Sequence, residues 1–313
     1  VTGWTRQRER GSLFALWLMT RLVFALGWRV GHALLYPITA YFMATAPAAQ
    51  RAAARAYLAR ALGRAPRRRD LFRLYFTFAC TMLDRVFLLA GRHAGYEVEV
   101  VGLEALEARL REGGGAILLG AHLGSFEVLR VLAGADCPVE IRPMMYEENA
   151  RQADALFNAI DPARAGTIIA LGRPDTMLRA KECLERGGIV GLLGDRAPRG
   201  EKMVRVPFLG APACFPAGPL LLAGVLGAPV TLFFGLWRGP RRYELRFEPF
   251  AERVVIGRAD RAVALADWAG RYAARLEALC RAHPYNWFNF YDFWGELDTS
   301  PEPCSVAATA AQP

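Results

Sequence analysis

The sequence predicts an α/β fold with a mixed, mainly parallel central sheet flanked by helices, preceded by an apolar helical region suited to membrane association. Three observations predict it. A helix–glycine–strand pattern occurs twice, as LEARLREGGGAILLG at residues 106–120 and as LRAKECLERGGIVGLLG at residues 178–194. Each of these strands ends in glycine and then delivers polar residues, Ala121-His122 in one case and Asp195-Arg196 in the other. The first fifty residues, by contrast, are apolar stretches punctuated by arginine.

Taken in order, residues 1–10 carry Arg6, Arg8 and Arg10, and residues 13–49 form an apolar region broken by Arg21 and Arg29. Its second part, residues 30–49, has no formal charge and approaches the length needed to span a bilayer. Pro37 and His32 count against a span, and a buried pair of core helices is the other reading. The preceding arginines place that end on the cytoplasmic side. Residues 51–69, rich in Ala and Arg, read as a basic helix, lying either on anionic lipid or in solvent. Residues 71–90 read as a further apolar helix.

The α/β part begins near Tyr96 with the alternating run YEVEVVG. Helices before glycines suited to a C-cap lead into short apolar runs with the length of buried strands. Later strands are expected at 139–145, 204–208, 230–236 and 243–247, and helices at 154–160, 217–225 and 263–282. In the last helix Leu265, Trp268, Tyr272, Leu276 and Leu279 share a face and read as core. His283, before Pro284, reads as a helix stop. The chain thus divides into residues 1–50 for membrane association, a helical region at 51–95, an α/β domain at 96–297 and a disordered tail at 298–313.

Composition narrows the partners. Across 313 residues, 39 Lys+Arg face 30 Asp+Glu, a net charge of +9, and 53% of residues are hydrophobic. Only Lys181 and Lys202 are lysines, so arginine carries nearly all the positive charge. That balance favours anionic lipid or an acidic carrier protein. No nucleic-acid-binding motif is present, so nucleic acid is not an expected partner. The six cysteines are scattered, with neither CxxC nor Cys/His ligand pairs, and read as reduced, mostly buried thiols. No metal is expected.

In open α/β sheets, ligands bind beyond the carboxyl ends of the strands, so His122 and Asp195-Arg196 should face one crevice. Within AHLGSFE, Gly124 permits a tight turn and Ser125 is suited to cap a helix starting at Phe126. Glu127 then falls in the first helical turn, where it can reach back to the imidazole and leave the other ring nitrogen as a general base. Backbone N–H groups of the same turn could cradle an oxyanion. A capped helix with a structural histidine is the other reading. Arg142 follows another strand and is a further candidate for the site, against a surface-charge reading. None of the four serines, Ser125 included, lies in G-x-S-x-G, and Cys80 and Cys214 sit in apolar runs that disfavour a thiolate. Catalysis without a covalent nucleophile is therefore expected. Trp287, Phe290, Tyr291 and Trp294 fall at helical spacing and read either as an interfacial aromatic patch or as a helix packed on the core.

These motifs resemble a known family. GAHLGSFE is similar to the H-x4-E motif of the lysophospholipid acyltransferase-like enzymes, in particular the bacterial lipid A late-acyltransferase branch. The resemblance continues through GLLGDRAP, VPFLGAPACFPAGPLLLAG and HPYNWFNFYDFW, covering roughly residues 13–294. The branch commonly reads D-Q-D where this chain has Asp195-Arg196-Ala197, and the C-terminal motif most resembles acyltransferases of aryl polyene-type pigment clusters. The resemblance implies His122 as general base, Glu127 as its orienting partner, and Asp195, Arg196, Arg142 and Ser125 as substrate-binding candidates. It implies an acyl-carrier-protein or CoA thioester as co-substrate, no cofactor, and a lipid or pigment-lipid acceptor. The enzyme is expected at the inner membrane with its active site facing the cytoplasm. Lipid A late acylation is the alternative within the class; a thioesterase-type hydrolase or a silent membrane scaffold are alternatives of other classes.

Overall fold

A computed structural model describes residues 13–129, 139–145, 159–161, 166–196 and 200–295. Four helices come first: α1 (Leu13–Leu26), α2 (Trp28–Thr45), α3 (Ala48–Leu62) and α4 (Arg68–Leu89). They are followed by β1 (Glu97–Val101), α5 (Glu104–Arg111), β2 (Ala116–Gly124), β3 (Ile141–Met145) and β4 (Ile169–Ala170). Then come α6 (Thr176–Glu185), β5 (Ile189–Leu193), β6 (Met203–Phe208), β7 (Ala211–Pro216), α7 (Gly218–Leu226), β8 (Val230–Gly239), β9 (Arg242–Ala251) and α8 (Arg261–Ala282).

Seven strands form one sheet in the order β1-β9-β8-β2-β5-β3-β4, and β6 and β7 form a separate antiparallel pair. Within the large sheet only β8 and β9 pair antiparallel. The mixed, mainly parallel sheet expected from the sequence is thus present. The twice-used pattern sits at its centre. Helix α5 feeds β2 and α6 feeds β5, and the two strands pair parallel with Ala116 opposite Ile189. Both helices end at a left-handed glycine, Gly113 and Gly187, whose N–H returns to a carbonyl of the last turn.

Both faces of the sheet are covered, as a parallel sheet requires. Along β2, Ile117, Leu119, Ala121 and Leu123 enter the larger core with residues of α3, α4, α7 and α8, while Ala116 and Leu118 enter a smaller core with Leu106 of α5.

The N-terminal region departs from the expectation of a span. The apolar stretch is divided at Gly27 and again at Pro47, so its charge-free part is shared between α2 and α3. Among the described residues no helix is long and apolar enough to cross a membrane. Helices α1 and α2 instead pack on α4 through a cluster of Val23, Trp28, Leu35, Cys80, Leu83 and Phe87. Helix α3 buries Ala53, Ala54, Tyr57, Leu58 and Ala61, and turns Arg55 outward.

Other differences are local. The sequence reading omitted β7, whose Pro212 and Pro216 count against a strand. It pairs with β6 across Leu209-Gly210, both at positive φ, and the Leu209 N–H is held by Glu277 of α8. Cys80, Cys183 and Cys280 are buried free thiols, whereas Cys214 is disulfide-bonded, so the all-reduced reading fails there. Most of the helix expected at 154–160, and the tail at 298–313, lie outside the described residues.

Candidate active site

The site is built on a defect in the central strand. Pairing of β2 with β5 stops at Gly120 opposite Leu193. Pairing with β8 passes from Gly120 opposite Phe233 to Gly124 opposite Gly235, so β2 uses four residues where β8 uses two. Such a bulge re-aims the side chains it carries, and His122 lies on it. Gly124 has φ 72°, and a side chain there would collide with the carbonyl of Gly235. The ladder therefore resumes only because this position is glycine.

His122 meets Asp195, which stands just past the end of β5. Its Nδ1 lies 2.8 Å from Asp195 Oδ1, and its backbone N–H points at both carboxylate oxygens at 3.1 Å. The indole N–H of Trp287 donates to Oδ2 at 3.0 Å, and Arg196 Nε lies 3.6 Å from the same oxygen. Asp195 is 1% exposed. Burial opposes its ionisation, but His122, Arg196 and the indole N–H outweigh burial and hold it well below the usual carboxylate range. An ionised carboxylate only accepts, so Nδ1 carries the proton and Nε2 keeps its lone pair. The His122 side chain is 37% exposed, and Nε2 has no hydrogen-bond partner among the described residues. Burial and the Arg196 charge lower the imidazole pKa, Asp195 opposes them, and Arg85 adds to the lowering.

Glu127 is not the imidazole's partner. Its Oε1 accepts from Arg85 of α4, at 3.1 Å from Nε and 3.0 Å from Nη2, and the residue is 3% exposed. The expected His122–Glu127 tie is thus replaced by His122–Asp195. The reason is local geometry: residues 126–128 form a short 3-10 turn, which carries Glu127 toward α4. Ser125 is buried and makes no side-chain cap bond, which corrects the N-cap reading. Its N–H donates to Gly235 O at 2.7 Å, and that of Gly124 to Asn286 O at 2.8 Å. With the His122 N–H on Asp195, these three backbone donors are occupied.

Arg196 does belong to the site. It is 13% exposed, donates Nη2 to Phe288 O, and lies over the Tyr291 ring at 5.4 Å. Arg142 does not. It pairs with Glu140, which also binds Arg186, and it lies opposite Val190. Val190 precedes Asp195 by five residues, about 16 Å along a strand. Arg142 is therefore the surface charge that the sequence left as its second reading.

The C-terminal motif supplies what sequence reasoning missed. Residues 286–294 are not helical, but Trp287, Asn289, Phe288, Tyr291 and Phe293 are all buried, so the packing of this run on the core holds while its helical backbone and its reading as an interfacial patch are corrected. Leu123 and Trp287 form an antiparallel bridge, flanked by Phe288 N–H to His122 O at 3.1 Å. Asn286 accepts from the Trp237 N–H at 2.7 Å and returns a donor to its carbonyl at 3.2 Å. Asn286, Asn289 and Asp292, interleaved in the aromatic run, are the sequence signal that could have found these backbone ties. His283 caps α8 with its N–H on Leu279 O, as read from its place before proline.

A half-buried histidine held by a buried aspartate at two parallel strand ends, with an open ring nitrogen and an adjacent arginine, is an arrangement that can take up and return a proton. The sequence profile of the bacterial lipid A biosynthesis acyltransferases matches residues 7–295. The chain belongs to that family, and it is an acyltransferase. The family brings an acyl donor and a lipid acceptor to the reaction. No curated protein matches the chain.

Proposed function

We propose that this chain moves an acyl group from an acyl-carrier-protein or CoA thioester directly to a hydroxyl or amine of a lipid acceptor, with His122 as general base and Asp195 as its orienting partner. The observation that carries the reading is the 2.8 Å contact of Nδ1 with an ionised Asp195, which leaves Nε2 as the open nitrogen. Nε2 takes the acceptor proton while the acceptor oxygen bonds to the thioester carbon and the carbonyl electron pair moves to oxygen. When that pair returns, the carbon–sulfur bond breaks and the thiolate takes the proton from the imidazolium. His122 ends neutral, and nothing is oxidised or reduced. Arg196 stands where it can offset negative charge on the intermediate.

The family favours a lipid A-type acceptor. The C-terminal resemblance to aryl polyene-type enzymes keeps a pigment-lipid as the second reading, and lipid and pigment profiles of a deletion strain separate the two. We place the enzyme on the inner membrane, attached from the cytoplasmic side through its N-terminal helices. Supporting this are the exposed Leu22, Leu26, Val30, Leu34, Tyr41 and Phe42 on α1 and α2, with Arg29 exposed beside them.

The test is incubation with a labelled acyl thioester, with and without total membrane lipid. Labelled lipid is expected only when acceptor is present, and His122→Ala should abolish it. A stoichiometric acyl-enzyme without acceptor overturns direct transfer, and equal release of free acid in both arms makes the protein a hydrolase.

A further inference from the structure

The net charge of this chain is concentrated in its N-terminal helices. Residues 13–89, which build α1 to α4, hold eleven arginines and two acids. This quarter of the sequence therefore carries a formal charge equal to the +9 of the whole, and basic and acidic residues balance in the rest. Both acids are spent inside. Asp84 is buried under the hydrogen bonds of Trp28, Tyr96 and Tyr243. Asp70 is buried against Arg64 at 2.8 Å and the Tyr285 hydroxyl at 2.8 Å. Among the described residues of α1 to α4, no acid is exposed.

The charge is densest where the helix itself opposes it. Arg67, Arg68 and Arg69 open α4, and all three are exposed. The first turn of a helix carries the positive end of its dipole, which disfavours cations. Asp70 accepts from the Arg67 N–H at 2.7 Å and offsets that end, but its charge is shared with Arg64. Arg68 and Arg69 have no ion pair or side-chain hydrogen bond among the described residues. The fold therefore gains nothing from these cations.

Their surroundings are apolar. Helices α2 and α4 run antiparallel: Trp28 meets Asp84 at 2.6 Å, and the Tyr36 ring lies 6.4 Å from that of Phe72. Continued, this register brings the last turn of α2, with exposed Tyr41 and Phe42, level with Arg68 and Arg69. An acidic protein surface matches the arginines alone. A bilayer with anionic headgroups matches both the arginines and the rings.

We propose that the corner formed by the first turn of α4 and the last turn of α2 is a headgroup site for anionic lipid, with Arg67, Arg68 and Arg69 on phosphate and Tyr41 and Phe42 toward the acyl chains. The inference rests on the reading of the N-terminal helices as the attachment face and adds a selectivity to it. Apolar area sets how firmly the chain is held, and this cluster sets which membrane holds it.

The experiment is sedimentation of the full chain with vesicles of phosphatidylcholine alone and of an equal mixture with phosphatidylglycerol. It is run at about 0.1 M salt, where charges act over about 10 Å. The parent should bind the mixed vesicles about 10²-fold more tightly. The variant carrying Arg67→Gln, Arg68→Gln and Arg69→Gln should lose most of that preference, about fivefold per arginine, and bind phosphatidylcholine as the parent does. It should melt no lower than the parent, because the lost cations opposed the helix dipole. Should it melt lower, Arg68→Gln and Arg69→Gln singly, each expected to lose about fivefold, decide instead. A control removes equal charge beyond β9, where Arg253, Arg258 and Arg261 are exposed. Arg253→Gln, Arg258→Gln and Arg261→Gln together should keep the preference, and an equal loss there makes the effect one of net charge and overturns the proposal. Equal binding of the parent to both vesicles overturns the headgroup site while attachment stands; binding to neither removes the attachment and the site with it. A triple variant that binds both vesicles as the parent does, but takes acyl groups from CoA and no longer from a carrier protein, assigns the cluster to that partner and overturns the lipid site.

Discussion

At the scale of single residues, the proposed mechanism separates groups that hold His122 as the base from groups that merely neighbour it. Asp195→Asn keeps the shape of the side chain but removes its charge and changes which tautomer it favours. It should lower kcat/KM by about 10²–10⁴-fold, the usual contribution of a general base, measured with the acyl-transfer assay. Trp287→Phe removes one donor to Asp195 and should raise the pH midpoint of that carboxyl, with a smaller loss of rate. Arg142→Ala should leave kcat/KM unchanged, because its partners are Glu140 and its own strand's end. The pH profile carries a sign. Burial and Arg196 lower the His122 pKa, so the fraction of neutral base stays high to below the ordinary imidazole value. The acid limb of kcat/KM should lie below that value and move upward in Arg196→Ala.

At the scale of elements, the two αβ units were legible because glycine-terminated strands preceding rare polar residues have few other uses. His122 and Asp195 could be placed at neighbouring strand ends for that reason. Their contact could not, because 73 residues separate them and the short spacing to Glu127 offered a nearer partner. The aromatic run after His283 showed a helical period by chance of composition, and its real backbone is set by hydrogen bonds to β2 and β8 that no local pattern encodes. The N-terminal helices were read as apolar, correctly, but their anchor is polar. Asp84 of α4 is fully buried and accepts from Trp28 Nε1 at 2.6 Å, Tyr96 OH at 2.8 Å and Tyr243 OH at 2.7 Å. One carboxylate thereby joins α2, the approach to β1, and β9. Burial raises its pKa, and the three donors oppose burial without cancelling it. The folded form binds the proton more tightly than the unfolded chain. Its contribution to stability is therefore full below about pH 4, the ordinary carboxylate range, and declines as pH rises through the folded pKa. Urea unfolding of the parent and of Asp84→Asn should show the parent's advantage shrinking as pH rises above the ordinary carboxylate range.

At the scale of the whole molecule, the proposed membrane attachment has separable contributions from charge and apolar surface. Each large apolar side chain moved out of water is worth about 1.5–3 kcal/mol, against about 1 kcal/mol for each arginine near anionic lipid. The exposed apolar residues of α1 and α2 should therefore outweigh the arginines. Sedimentation with anionic vesicles should survive 0.5 M salt, and replacing Leu26, Leu34 and Phe42 together by serine should release the protein while leaving its melting temperature within a few degrees. Retention of that triple variant on neutral vesicles would place the attachment elsewhere.

The strap formed by Asn286, Trp287 and Phe288 also sets a timetable. Synthesis delivers the N-terminal helices first, His122 next and Asp195 later, but the indole that binds Asp195 and the amide that ties down the His122 carbonyl come after another ninety residues. On the proposed attachment, a nascent chain therefore presents its apolar helices to a bilayer before the His122–Asp195 pair is assembled. Ribosome-stalled chains ending before Asn286 should bind vesicles yet show His122 titrating like a free histidine in diethyl pyrocarbonate modification, and chains extended past Trp294 should gain the lowered midpoint.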